Sequence, residues 1–102
     1  MSEITEGTDI DELRGLIATE PNLVVKYWAT WCGPCKMYAP TFATAAEKVD
    51  AKFVSVDIDK VQEVSVDYGV MSVPQTHQFR DGEIAVQLVG AQRLVPLIQA
   101  LS

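Results

Sequence analysis

Hydrophobic positions follow two rhythms along this chain. Leu23 to Trp28 is a short, largely apolar run rich in β-branched and aromatic residues, as a central strand buried on both faces should be. Phe53 to Ile58 reads as another strand, and Glu3 to Thr5 as a short edge strand. Further on, Gln75 to Phe79 and Ile84 to Val89 are strand-like runs separated by Arg80-Asp81-Gly82-Glu83. Asp-Gly is a strong hairpin signal, so this pair should be antiparallel.

The intervening segments carry helical spacing. From Thr8, apolar residues fall at Ile10, Leu13, Leu16 and Ile17, with Thr8 and Asp11 placed as a capping pair, until Pro21-Asn22 breaks the pattern. A longer helix is expected from Cys32 to Val49, with Met37, Phe42, Ala45, Ala46 and Val49 as its inward stripe. Pro40 removes a backbone donor and crowds the turn before it, which predicts a kink near Ala39 to Pro40. Asp59 to Tyr68 is helix-like, with Val61, Val64 and Tyr68 on one side and Gly69 in the stopping position. Gln92 to Leu101 closes the chain as a helix with Leu94, Leu97, Ile98 and Leu101 inward, provided Pro96 lies in its first turn. This alternation, ending in a hairpin and a helix, implies an α/β domain with a mixed sheet and helices on both faces.

Length and composition narrow the class. At 102 residues and 48% hydrophobic content, residues 1–102 suit a single domain with one core. No apolar run approaches the roughly 20 residues of a membrane span, and Met1 to Glu12 is acidic without a secretory pattern. A cytoplasmic, reducing setting and no membrane partner are therefore expected. The net charge of −6, with no basic stripe, argues against nucleic acid as a partner.

The candidate chemistry sits at one junction. The two cysteines lie three positions apart in Trp31-Cys32-Gly33-Pro34-Cys35-Lys36, between the run ending at Trp28 and the long helical stretch. Two thiols so placed can close a small disulfide. A cysteine in a helix's first turn faces unpaired N–H groups and the positive end of the helix dipole, which favour its thiolate. Cys32 is thus the better nucleophile and Cys35 the better resolving thiol. Pro34 needs no hydrogen-bonded N–H in an opening turn, and Gly33 lets a partner's backbone come close. The rival readings are a pair of buried apolar thiols or half of a zinc site. Zinc normally takes four ligands, whereas this chain has two cysteines and one histidine, His77, so no metal is expected.

Trp28-Ala29-Thr30-Trp31-Cys32-Gly33-Pro34-Cys35-Lys36-Met37, with Pro40 and the later Val73-Pro74 and Val89-Gly90-Ala91, resembles the thioredoxin family from about Leu23 onward. The resemblance implies a three-layer fold, a central mixed five-stranded sheet flanked by four helices, and it settles the strand topology more than periodicity does. It implies reduction of protein disulfides by dithiol exchange. Cys32 would attack, a mixed disulfide would form, and Cys35 would resolve it. The partners implied are protein substrates with disulfides and a thioredoxin reductase drawing electrons from NADPH. No Gly-rich nucleotide fingerprint occurs, so no bound cofactor is expected, and the chain is expected to act as a monomer.

By the same resemblance, Val73-Pro74 is a cis peptide facing the dithiol, with the Val73 main chain free to pair with an extended substrate. Trp28 and Trp31 would form an apolar apron, Gly90 would allow close approach, and Met71, Val73 and Ala91 would complete an exposed apolar rim suited to protein partners. Several positions depart from the family pattern. Gln75 replaces the usual Thr after the proline, and Thr76-His77-Gln78 replaces a more apolar strand, with alternation leaving the face of His77 open. Lys26 stands where the family usually has a buried Asp beneath the second cysteine, and Ser55 where it commonly has Lys. Lys26 could serve as a base for Cys35, pair with a carboxylate such as Asp57, or snorkel to solvent. The dithiol also leaves room for an oxidase or isomerase, or for a binding or chaperone-like module with incidental redox activity.

Overall fold

A computed structural model of the protein describes residues 4–7 and 9–102. Its elements are β1 (Ile4–Gly7), α1 (Ile10–Thr19), β2 (Asn22–Trp28), α2 (Gly33–Lys48), β3 (Lys52–Asp57), α3 (Val64–Asp67), β4 (Gln75–Arg80), β5 (Glu83–Val89) and α4 (Leu94–Leu101). The strands form one sheet in the order β1-β3-β2-β4-β5. β2 runs parallel to β3 on one side and antiparallel to β4 on the other. Such a central strand has no solvent-facing side, and Leu23 through Tyr27 are all buried.

Alternation along β2 supplies both cores. Leu23, Val25 and Tyr27 join Leu13 and Ile17 of α1, Val64 of α3 and Phe79 of β4. Val24 points into the opposite cluster, with Tyr38, Phe42, Ala45 and Ala46 of α2 and Leu97 and Leu101 of α4. The hairpin turn places both Asp81 (φ 52) and Gly82 (φ 87) in the left-handed region, the backbone that a two-residue connection between twisted strands demands. Pro96 is the third residue of α4, where its missing N–H breaks no helical bond.

Several expectations are corrected. Glu3 and Thr8 lie outside the described residues. The cap of α1 comes from Asp9, whose carboxylate accepts the Glu12 N–H at 2.7 Å. Met37 does not belong to the inward stripe of α2: it is 79% exposed, and Tyr38 packs inward instead. The expected helix over 59–68 shrinks to the four residues of α3. The Asp57 carboxylate accepts the Asp59 N–H, and the Asp57 carbonyl accepts from both Lys60 and Val61, so the chain turns tightly here before it can wind. Helix α2 runs through Pro40 without interruption, and the Thr44 hydroxyl donates to the Pro40 carbonyl.

β4 carries polar side chains into the core. Gln75, Thr76, His77 and Gln78 are all buried. Thr76 shares a 2.8 Å hydrogen bond with the Tyr38 hydroxyl, and the Gln78 amide donates to Asn22 and to the Leu101 carbonyl. On the other face the Gln75 amide nitrogen lies 2.9 Å from His77 Nε2, and the Tyr27 hydroxyl 3.1 Å from His77 Nδ1. An amide nitrogen can only donate, so Nε2 accepts and Nδ1–H donates to the tyrosine oxygen. Burial pushes the imidazole pKa down to about 4, and the donor already facing Nε2 works in the same direction.

Two outcomes follow for stability. Phe42 is fully buried with its ring centroid 5.2 Å from that of Phe53, so Phe42→Ala should cost about 3–5 kcal/mol in urea unfolding. His77 stays neutral in the folded chain down to about pH 4, whereas an unfolded histidine takes up its proton near pH 6.5. Between those values the unfolded state binds more protons, so lowering the pH favours unfolding. The contribution, intact above pH 6.5, should fall by up to roughly 3 kcal/mol by pH 4. Subtracting the stability–pH curve of His77→Gln from that of the native sequence isolates it.

Candidate active site at the start of α2

β2 delivers the chain to the rim of the sheet at Trp28, and a tight loop passes it into α2. The Cys32 N–H donates to the Ala29 carbonyl at 3.2 Å, closing that loop. Cys32 is the N-cap of α2 in an extended conformation, and Gly33 and Pro34 open the helix. Cys35 lies one turn in, and its N–H donates to the Cys32 sulfur at 3.2 Å. The two cysteines are joined as a disulfide with their Cα atoms 5.3 Å apart. Cys32 and Cys35 are 4% and 3% exposed, so a partner must reach the sulfurs between the surrounding side chains.

Those surroundings come from separate parts of the chain. The Val73–Pro74 bond is cis, and Val73 packs against the cluster of Ala29, Cys32 and Cys35, as do Trp28 and Ile58. Gly90, with φ 86, donates its N–H to the Pro74 carbonyl at 2.8 Å, which ties the turn carrying Gly90 and Ala91 to the cis-proline loop. Trp31 and Met71 stand out to solvent at 68% and 86% exposure, and Ala91 is exposed as well. The structure thus packs Trp28 and Val73 against the disulfide and ties Gly90 to Pro74, the residue after Val73.

Sequence reasoning missed two acidic residues that fix the tryptophans. The Trp31 indole N–H donates to Asp59 at 3.0 Å, and the Trp28 indole N–H donates to Glu6 at 3.1 Å. Asp59 carried a weak signal, an acidic residue just past the end of a strand. Glu6 carried none, because only the sheet order brings β1 near this site.

Lys26 is 7% exposed and does not snorkel to solvent. The Glu6 carboxylate acts on it electrostatically, and one oxygen of the Asp57 carboxylate accepts the Asp59 N–H. Burial lowers the lysine pKa and Glu6 opposes that shift. His77 bonds to Gln75 through one ring nitrogen and to Tyr27 through the other inside the core, which makes His77 a structural residue. Among the described residues no group of three or more His, Cys, Asp or Glu side chains is arranged to hold a metal, and no helix is long and apolar enough to cross a membrane.

The arrangement can make and break one S–S bond at a helix N-terminus, and comparison with known proteins agrees. Residues 8–102 match the family model described as Thioredoxin. The thioredoxin of Mycoplasmoides gallisepticum is 38% identical over 91 residues, 88% of each chain. Thioredoxin-1 of Schizosaccharomyces pombe is 34% identical over 89 residues, 86% of each. Among solved structures, the reduced thioredoxin pre-protein of Schistosoma mansoni superposes with a TM-score of 0.87 at 35% identity, over 98% of this chain and 99% of that one. Plasmodium falciparum thioredoxin gives 0.88 at 28% identity, covering 95% of each. With the Cys32–Cys35 disulfide closed where β2 meets α2, and with that match running almost end to end, this chain belongs to the thioredoxin family and is a thiol-disulfide oxidoreductase.

Proposed function

We propose that the chain works as a reductase of disulfides in other proteins, with Cys32 attacking and Cys35 resolving. The observation that carries this is the placement of Cys32 as the N-cap of α2, one turn ahead of its disulfide partner. Unpaired amides and the helix dipole favour a sulfur anion at that end. The Cys32 thiolate attacks one sulfur of the substrate disulfide, forming a mixed disulfide and expelling the other sulfur as a thiolate. Deprotonated Cys35 then attacks the Cys32 sulfur, and the substrate leaves as a dithiol once both of its sulfurs have taken up protons. The substrate gains two electrons and the protein keeps the disulfide. Recycling needs the same two electrons back, supplied from NADPH through a reductase protein. A reducing compartment such as the cytoplasm suits this direction of exchange.

The rim around the sulfurs supports an extended protein segment as substrate. Trp31, Met71 and Ala91 offer exposed apolar surface on separate loops, and Val73 lies against the cysteines two residues before β4 begins. A segment laid across the site would pair with the Val73 main chain and rest on Trp31, with Gly33, Pro34 and Gly90 permitting close approach.

Insulin reduction with NADPH and a thioredoxin reductase tests the reading. Turnover is expected for the native sequence, none above background for Cys32→Ser, and for Cys35→Ser a substrate-linked mixed disulfide visible by non-reducing electrophoresis. An inert native protein would sink it. Trp31→Ala should lower kcat/KM about five- to thirtyfold, equivalent to roughly 1–2 kcal/mol of lost contact. Initial rates across a range of insulin concentrations measure it.

A further inference from the structure

The exchange just described leaves unused a line of three buried polar side chains where β4 begins. Register pairs Tyr27 with Gln75 and Val25 with His77 across β2 and β4, which puts Tyr27, Gln75 and His77 on one face of the sheet. The Gln75 amide donates to His77 Nε2 at 2.9 Å, and the Nδ1–H across the ring donates to the Tyr27 hydroxyl at 3.1 Å. The ring also stands edge-on to Tyr27, with centroids 5.0 Å apart, and to Phe79 at 5.9 Å. An imidazole held at both nitrogens and packed between two rings offers its acceptor to Gln75 in one orientation.

What this line fixes is the approach to the dithiol. Gln75 is the first residue of β4 and follows Pro74 directly, whereas residues 68–74 belong to no helix or strand. Main chain outside regular structure takes its position from its anchors. One anchor here is the Pro74 carbonyl, held by the Gly90 N–H, and the other is the Gln75 amide, gripped inside the core. Val73, packed against the cysteines, comes just before both. The grip needs a bare Nε2, and burial keeps the imidazole uncharged near neutral pH.

We propose that His77 is a positioning residue: by accepting the Gln75 amide it holds the Val73–Pro74 segment where an extended protein substrate pairs with it, and so strengthens binding of protein disulfides without altering attack by Cys32. This rests on the reading of the Val73 main chain as the substrate's partner. A small disulfide, which brings no main chain to pair, gains nothing from the same contact. Selectivity for proteins over small disulfides is thus set in part from inside the sheet.

The test mixes chemically reduced protein with insulin or with hydroxyethyl disulfide and follows tryptophan fluorescence, so that no reductase enters the assay. His77→Phe keeps a ring without an acceptor, and Gln75→Leu removes the donor from the other end. In each, the insulin concentration giving half the maximal rate should rise about three- to tenfold, the worth of one neutral hydrogen bond, while the maximal rate and the rate with hydroxyethyl disulfide hold. The double variant should lose no more than either single one, because both cut the same contact. His77→Gln, whose amide oxygen can accept from Gln75, should retain the native value. In the native protein the ¹⁵N spectrum of the imidazole should show a proton on Nδ1 and none on Nε2. A proton on Nε2, an unmoved half-saturation in both single variants, losses that add in the double variant, or equal losses with both disulfides as packing damage would give, each overturns the proposal. Insulin oxidation by the native protein separates the two readings. Its absence removes the reductase reading and this role with it, whereas its presence with unmoved variants removes only the role of His77.

Discussion

The structure depends on one constraint: a strand covered on both faces must end where a helix begins, with a cysteine between them. Because β2 is buried from Leu23 to Tyr27, the sheet cannot slide along it without exposing apolar side chains. The position of Trp28, and of the Cys32 cap four residues later, is therefore set by the core. The helix supplies the amides and the dipole, and the strand holds them still.

The loops that complete the site are tied to this junction by hydrogen bonds. Gly90 N–H to the Pro74 carbonyl joins the turn before α4 to the cis-proline loop, and Trp31 to Asp59 and Trp28 to Glu6 link the segment after β3 and the edge strand to the residues flanking the dithiol. Each bond joins residues distant in sequence. Reactive sulfur needs surroundings that admit a partner yet do not collapse onto the disulfide, and exposed apolar side chains anchored by polar tips meet both demands.

Beside that junction, β4 departs from the usual economy of a small core. An apolar strand would bury as much surface, whereas Gln75, Thr76, His77 and Gln78 each require a partner. Those partners lie on β2, α2 and α4 as well as on β4 itself, so the polar side chains hold the strand in one register against β2 and against the layer of α2 and α4. The same physics governs Lys26. Burial works against its charge, and Glu6 and the Phe42 ring on neighbouring elements oppose that effect.

Local sequence by itself determined the elements whose signals are local. The apolar run at Leu23–Trp28, the Asp81-Gly82 turn, the stripe of Leu97 and Leu101, and the two cysteines three apart depend on periodicity, on positive φ or on spacing, all readable within a few residues. Family resemblance added the sheet topology and the cis-proline loop, which periodicity alone leaves open. Tertiary structure decided what depends on neighbours. It turned Met37 outward and Tyr38 inward on a helix whose sequence stripe allowed either, and it stopped the expected helix at 59–63 through the carboxylate and carbonyl of Asp57. It put His77 in the core with Tyr27 and Gln75, and it set Glu6 beside Ser55 and Ser55 beside Lys26. A buried polar group is satisfied by whichever strand or helix lies beside it, and that adjacency exists only after the chain has closed its sheet.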